Sequence, residues 1–275
     1  MKRSWTGQIL LGAGIFLSVT FSLLPFLWFV ITSLKSQQEV EAIPPSWWPT
    51  GDFAFYSSAL FEHQLIDYMV NSLIVAGSTT LFSLMIATPA AYALARLQIP
   101  GKTWMLGGLL SIAMFPQIVI AGPAWEILKS LGGLNTHCGL VLPYITLTLP
   151  LTIWILATFF KELPAELEEA ARVDGCTTWQ TMWKVMIPLA TPGIFTAAIL
   201  TFIYAWNEFF FALLILTEPD KQTLPVGIAL FQGEFTMPWG EIAAASVLAT
   251  VPLVILVLLF QRGIISGLSA GAVKG

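Results

Sequence analysis

Charge is what this chain has least of. Only 10% of its 275 residues are Asp, Glu, Lys or Arg, where soluble domains carry about 25%, and that deficit excludes an ordinary water-soluble globule. Cysteine is nearly absent. Cys138 and Cys176 stand in unrelated contexts without a CxxC pair, so neither a disulfide framework nor a thiolate metal centre is indicated. The two histidines, His63 and His137, are not paired at ligand spacing. Twelve Lys and Arg are outnumbered by sixteen Asp and Glu, which removes the basic footprint of a nucleic-acid binder. No complete phosphate-cradling loop (Gly, four residues, Gly-Lys-Ser/Thr) occurs. No HExxH motif or Ser-His set supplies bond-breaking chemistry either.

What is present is apolar sequence: 56% of residues are hydrophobic and the mean hydropathy is +0.80. Six long apolar runs, over 9–34, 69–94, 104–124, 139–160, 192–216 and 242–260, each approach the length of a bilayer span and end at charge or Gly/Pro punctuation. They are expected to be helices, because a backbone in lipid must satisfy its own hydrogen bonds. The first follows Lys2 and Arg3 but is too long for the core of a signal peptide, and no small-x-small site follows it, so it reads as an uncleaved span. Basic residues divide unevenly between alternate sides: Lys2, Arg3, Arg96, Lys102, Lys161, Arg172, Lys184, Arg262 and Lys274 against Lys35, Lys129 and Lys221. That asymmetry puts both termini in the cytoplasm. The fold expected is an all-α integral membrane protein of six transmembrane helices, one transmembrane domain over 1–275. It would carry a cytoplasmic loop over 161–191 and a cytoplasmic tail over 261–275.

The outer loop 35–67 mixes Pro44, Pro45 and Pro49 with Trp47, Trp48, Phe53, Phe55 and Tyr56. It reads either as an interfacial aromatic belt or as a rim that docks an external partner. The cytoplasmic loop is more informative. Pro164 suits a first helical turn, and Glu166, Glu168 and Glu169 complement the macrodipole there. Leu167, Ala170, Ala171 and Asp174 share a face by their spacing, and Gly175 is placed to stop the helix in a left-handed conformation. Thr177 with Gln180 then forms a capping box that opens a second helix. Trp179, Met182, Trp183 and Met186 give that helix one apolar stripe, before Pro188 and Pro192.

In this loop Glu169, Ala170 and Ala171, then Gly175 four residues on, then Val185, Ile187 and Pro188, resemble the EAA loop of binding-protein-dependent ABC importer permeases. Val185 and Ile187 stand where that pattern has Ile and Leu. The resemblance implies a type I importer fold in the bacterial plasma (inner) membrane. It implies that this segment, Asp174 included, is the coupling element that docks on a cytoplasmic ATPase. The tail from Gln261, with Gly267, Gly271 and Lys274, resembles that of the second permease subunit of maltose- and trehalose-type systems, where it reaches between the ATPase subunits. The segments 89–102 and 202–210 resemble the same family.

The resemblance further implies a non-catalytic pore subunit with no cofactor of its own, ATP and Mg being held by a dimer of partner ATPases. The other implied partners are a second, homologous permease, a periplasmic or lipid-anchored sugar-binding protein facing 131–139 and 232–240, and membrane lipids. The cargo would be a sugar or sugar-like osmolyte of maltose, trehalose or glucosylglycerol type.

Intramembrane charge is concentrated in Glu208, beside Tyr204, Trp206 and Asn207. A carboxylate in such a place faces the bundle interior or a water-filled cavity, so this group either lines the translocation pathway or ties helices together. A different class, an ion-coupled secondary transporter, would need several midplane acids or broken helices in paired positions.

Overall fold

The protein is described by a computed structural model over residues 5–231 and 237–272, apart from the side chains of 6, 7 and 262–272. Among these residues every regular element is helical. In chain order they are α1 (Trp5–Ser33), α2 (Gln37–Glu41), α3 (Ala54–Phe61), α4 (Leu65–Arg96), α5 (Lys102–Ala113), α6 (Gln117–Ser130), α7 (His137–Glu162), α8 (Glu166–Val173) and α9 (Thr178–Thr181). A π turn over Met182–Met186 follows, then α10 (Ile187–Leu189), α11 (Thr191–Asn207), α12 (Phe210–Ile215), α13 (Leu224–Ala229) and α14 (Trp239–Ala272).

Four of the six apolar runs are single helices long and apolar enough to cross a membrane: Gln8–Ser33, Leu65–Arg96, His137–Glu162 and Trp239–Gln261. The other two runs are not straight helices but fall in bent helix pairs, each of which counts as one span in a total of up to six. The run 104–124 is split into α5 and α6, which meet at 88°. Proline explains the break: Pro116 has no amide to donate and disfavours helical backbone at Phe115. The run 192–216 stops at Asn207. Glu208 is extended there, with φ −69 and ψ 128, and a short α12 follows. At its other end α11 meets the α9–α10 segment at 77°.

The described residues group into two compact units, one of Met1–Ile66 with Gly227–Pro252 and the other of Asp67–Val226 with Leu253–Gly275. In the first, the chain after α1 folds back on the end of that helix. Ser33 Oγ and Tyr56 Oη lie 2.8 Å apart, and the amides of Gly51 and Asp52 both donate to Leu34 O at 3.0 Å. Glu39 closes the loop by accepting from Ser36 N–H at 2.8 Å and Thr50 Oγ1 at 2.8 Å. Those bonds, the Ser36 amide foremost, hold its carboxyl below the ordinary value. Phe55 packs against Gly240, where a Cβ would stand 2.3 Å from its ring.

The second unit is built around α7. Leu140, Tyr144, Leu156 and Phe160 are fully buried on it. Thr148 hydrogen-bonds Ser83 of α4 and Thr152 bonds Thr201 of α11, each at 2.9 Å. Helix α11 approaches closely because Gly193 lies against Phe159, whose ring would meet any added Cβ at 2.3 Å. The alanines of α4 serve the same purpose, with Ala87 and Ala91 buried beside Ile153, Ala157 and Phe160.

Candidate functional site

The loop after α7 folds as its local chemistry dictates. Helix α8 ends at Val173 with Asp174 as its C-cap, and Gly175 takes φ +81. Gly175 N donates to Arg172 O at 3.0 Å and Cys176 N to Ala171 O at 2.9 Å, the paired bonds of a Schellman stop. Thr177 and Gln180 then exchange both capping-box bonds, at 2.9 and 3.3 Å. The second helix continues through the π turn, where Ile187 N reaches back to Met182 O. Such turns are rare and gather at functional sites.

The side chains sort differently from the spacing. Glu169, Ala170, Asp174, Gly175 and Pro188 are exposed, Ala171 is buried, and Val185 and Ile187 are half-buried against the core. Asp174 and Ala170 therefore do not share a buried face with Ala171; the inward residues of α8 are Glu168 and Ala171. The stripe of the second helix is also two columns rather than one. Met182 and Met186 point into the core, whereas Trp179 and Trp183 remain 61% and 50% exposed, edge to face at 5.7 Å. Neighbouring columns of a helix lie about 100° apart, enough for the core boundary to fall between them. Val173 and Leu189 of the same loop are exposed as well.

Sequence reasoning missed what holds the loop in place. Glu168, read as a favourable first-turn acid, is buried. Its Oε1 lies 3.2 Å from Arg96 Nε at the end of α4, and its Oε2 lies 3.7 Å from Arg172. Arg96 also donates to Leu163 O. Arg96, counted from sequence only among the cytoplasmic basic residues, is thus the pin between α4 and α8. Only the opposite signs of the two residues hinted at the pairing.

The break after α11 gathers the second set of residues. Glu208 is buried, accepting from Tyr144 Oη at 2.5 Å, Phe211 N at 3.0 Å and Ala212 N at 3.3 Å. Its carboxylate therefore caps the amides that the break frees. Trp206 is 2% exposed and stacked on Phe202 at 5.7 Å, and does not line the adjoining cavity. That cavity, about 460 Å³, is bordered by Gln117, Tyr204, Asn207, Glu208, Phe209 and Phe210. Gln117, a residue not singled out from sequence, donates to Tyr204 Oη at 2.6 Å. It comes from the first turn of α6, so both helix breaks converge on one polar spot.

The segment 131–139 is pinned, since Asn135 Oδ1 accepts from Thr217 N at 2.7 Å and from Glu218 N at 3.2 Å. His137 meets Lys221 O at 3.3 Å, a structural role. Helix α14 continues to Ala272, so Gly267 and Gly271 lie on helical backbone. Lys274 and 232–236 fall outside the described residues.

The family described as binding-protein-dependent transport system inner membrane component matches residues 1–269. The trehalose/maltose transport system permease protein MalG of Thermococcus litoralis is 40% identical, with 100% of both chains covered. The trehalose transport system permease protein SugB of Mycobacterium tuberculosis is 43% identical over 94% of this chain and 95% of its own length. The sulfoquinovosyl glycerol transport system permease protein SmoH of Agrobacterium fabrum is 42% identical over 92% and 89%. Among solved structures, a chain of a bacterial ABC transporter that imports the acidic polysaccharide alginate superimposes with a TM-score of 0.79 at 24% identity. It covers 95% of this chain and 99% of that one. A family match over nearly the whole chain, relatives covered over about nine-tenths or more of their own length and the superposition on a solved importer chain converge: this chain belongs to the binding-protein-dependent transport system inner membrane components, permeases of the ABC importer fold.

Proposed function

We propose that the chain is one of two homologous permease subunits of an ATP-driven importer in the bacterial inner membrane, carrying a sugar or sugar-like osmolyte of maltose, trehalose or glucosylglycerol type. Both termini and the α8–α10 loop face the cytoplasm in this reading, which rests on the basic asymmetry of the loops. The observation that carries it is the outward face of that loop. Glu169, Ala170, Asp174 and Gly175 are exposed, and on the second helix the exposed Trp179–Trp183 pair forms an apolar knob suited to a partner ATPase. The tail with Gly267, Gly271 and Lys274 extends toward the same ATPase dimer, which would hold ATP and Mg. An external sugar-binding protein delivers the cargo.

Within the membrane, Tyr204 and Asn207 with Gln117 offer the sugar hydrogen-bonding groups, and Glu208 holds the break open behind them. The ion-coupled alternative gains nothing from the two breaks, because Glu208 spends its carboxylate on Tyr144 and two amides. The relatives, moreover, are named as permeases of transport systems.

The experiment is Gly175→Val in the native operon. At φ +81 an L-residue costs about 1–2 kcal/mol, and a β-branched one is a true outlier. The second helix is re-aimed, and about 1.4 kcal/mol at the docking face weakens it tenfold. Wild-type membrane levels with ATPase capture and labelled trehalose or maltose uptake both down tenfold or more are expected. Uptake in the wild type should stop on ATP depletion and survive collapse of the proton gradient. Unchanged capture and uptake in the variant overturn the coupling role.

A further inference from the structure

One cavity outside the features used above combines a buried charge with an orphaned hydroxyl. It measures about 290 Å³, sits at the end of α1, and is lined by Trp28, Phe29, Thr32, Lys35, Pro45 and Trp239 among others. Lys35 is 3% exposed. Its ammonium stands 4.5 Å over the Trp28 ring, which Trp47 holds edge-on at 5.2 Å. Among the described residues no carboxylate lies within ion-pairing distance of it. Thr32 Oγ1, in the same lining, is buried and has no hydrogen-bond partner. A cation–π contact returns only part of the cost of burying an ammonium. A cation and a spare hydroxyl donor on two residues that line one cavity call for an anion with acceptor oxygens.

The surroundings identify its source. No part of the spanning window of α1 is buried. Phe21, Leu24, Trp28 and Thr32 follow one another at three- and four-residue steps, a single stripe of the helix that leads from exposed apolar side chains to the cavity. Tryptophans at such a position mark headgroup depth. Lys35 already occupies the face of Trp28 and disfavours a second cation such as choline there.

We propose that this cavity is a binding site for the phosphate of an anionic phospholipid, with Lys35 and Thr32 as its donors and an acyl chain along Phe21 and Leu24. On the orientation proposed above this is an outer-leaflet lipid; the site itself does not depend on the transport reading.

The test uses the full chain purified in detergent and titrated with phosphatidylglycerol or phosphatidylcholine, bound lipid being counted by native mass spectrometry and stability followed by thermal melting. Phosphatidylglycerol should be retained and raise the melting temperature, with phosphatidylcholine weaker. Lys35→Gln should weaken phosphatidylglycerol tenfold or more, Lys35→Arg should keep it, and Thr32→Val, nearly isosteric, should weaken it several-fold. Thr32→Val carries the test alone if Lys35→Gln does not fold. Equal retention by wild type, Lys35→Gln and Thr32→Val overturns the site. Displacement of the lipid by millimolar inorganic phosphate overturns the lipid as its occupant. Saturable binding of trehalose that Lys35→Gln abolishes overturns the anion altogether.

Discussion

Helices α1 and α7 are nearly indistinguishable by composition. Their spanning windows have hydropathies of 2.1 and 1.9, yet none of the first and 50% of the second is buried. Hydroxyl groups alone do not mark the difference, since α1 carries Ser18 and Ser22 at helical spacing and both are exposed. What α7 has is matched partners: Ser83 opposite Thr148, Thr201 opposite Thr152, and Gly193 where α11 must come close. Apolarity selects a segment for lipid. Complementary small and polar groups on a second helix decide which segment goes inside.

The largest effect should come from the polar contact that ties the loop to the helical body. Glu168→Ala leaves the largely buried Arg96 without its ion pair, a loss toward the lower end of the about 3–5 kcal/mol for a fully buried pair, read as lower thermal stability and protease cleavage near 163–175. Next is a paired substitution that addresses the comparison directly. Gly193→Val forces a side chain into the Phe159 ring and should destabilise the detergent-purified chain by about 1–3 kcal/mol. Gly14→Val on α1, where nothing stands within 4 Å, should change its melting little; similar losses at both sites would refute the inside–outside distinction. Thr152→Val should be the mildest, about 0.6 kcal/mol and no more than about 1.7 for one interhelical hydroxyl bond. A double-mutant cycle with Thr201→Val isolates that bond, and zero coupling would leave the ladder without energetic weight.

Local features were legible and distant ones were not. Gly175 and the Thr177–Gln180 pair announce their turn and cap because each motif closes within six residues. Four spans follow from length and hydropathy alone. The break at Pro116 is hidden because Pro25, Pro89, Pro143, Pro150 and Pro252 all sit inside helices, so proline by itself is no signal in this chain. The break at Glu208 hides inside an apolar run, and its mending needs Tyr144, 64 positions away. Arg96–Glu168 is likewise a product of tertiary proximity. The two-column split of Trp179 and Trp183 from Met182 and Met186 depends on where the core boundary falls, which no periodicity states.

The bend between α10 and α11 has a mechanical consequence. The segment Thr178–Leu189 is an arm about 18 Å long at 1.5 Å per residue, set at 77° to α11 and rigid at its near end because Met182 and Met186 are embedded. A rigid swing of about 3° would displace its far tip by about 1 Å, and we propose that the 77° elbow passes part of that travel to α11, which carries Tyr204, the partner of Gln117.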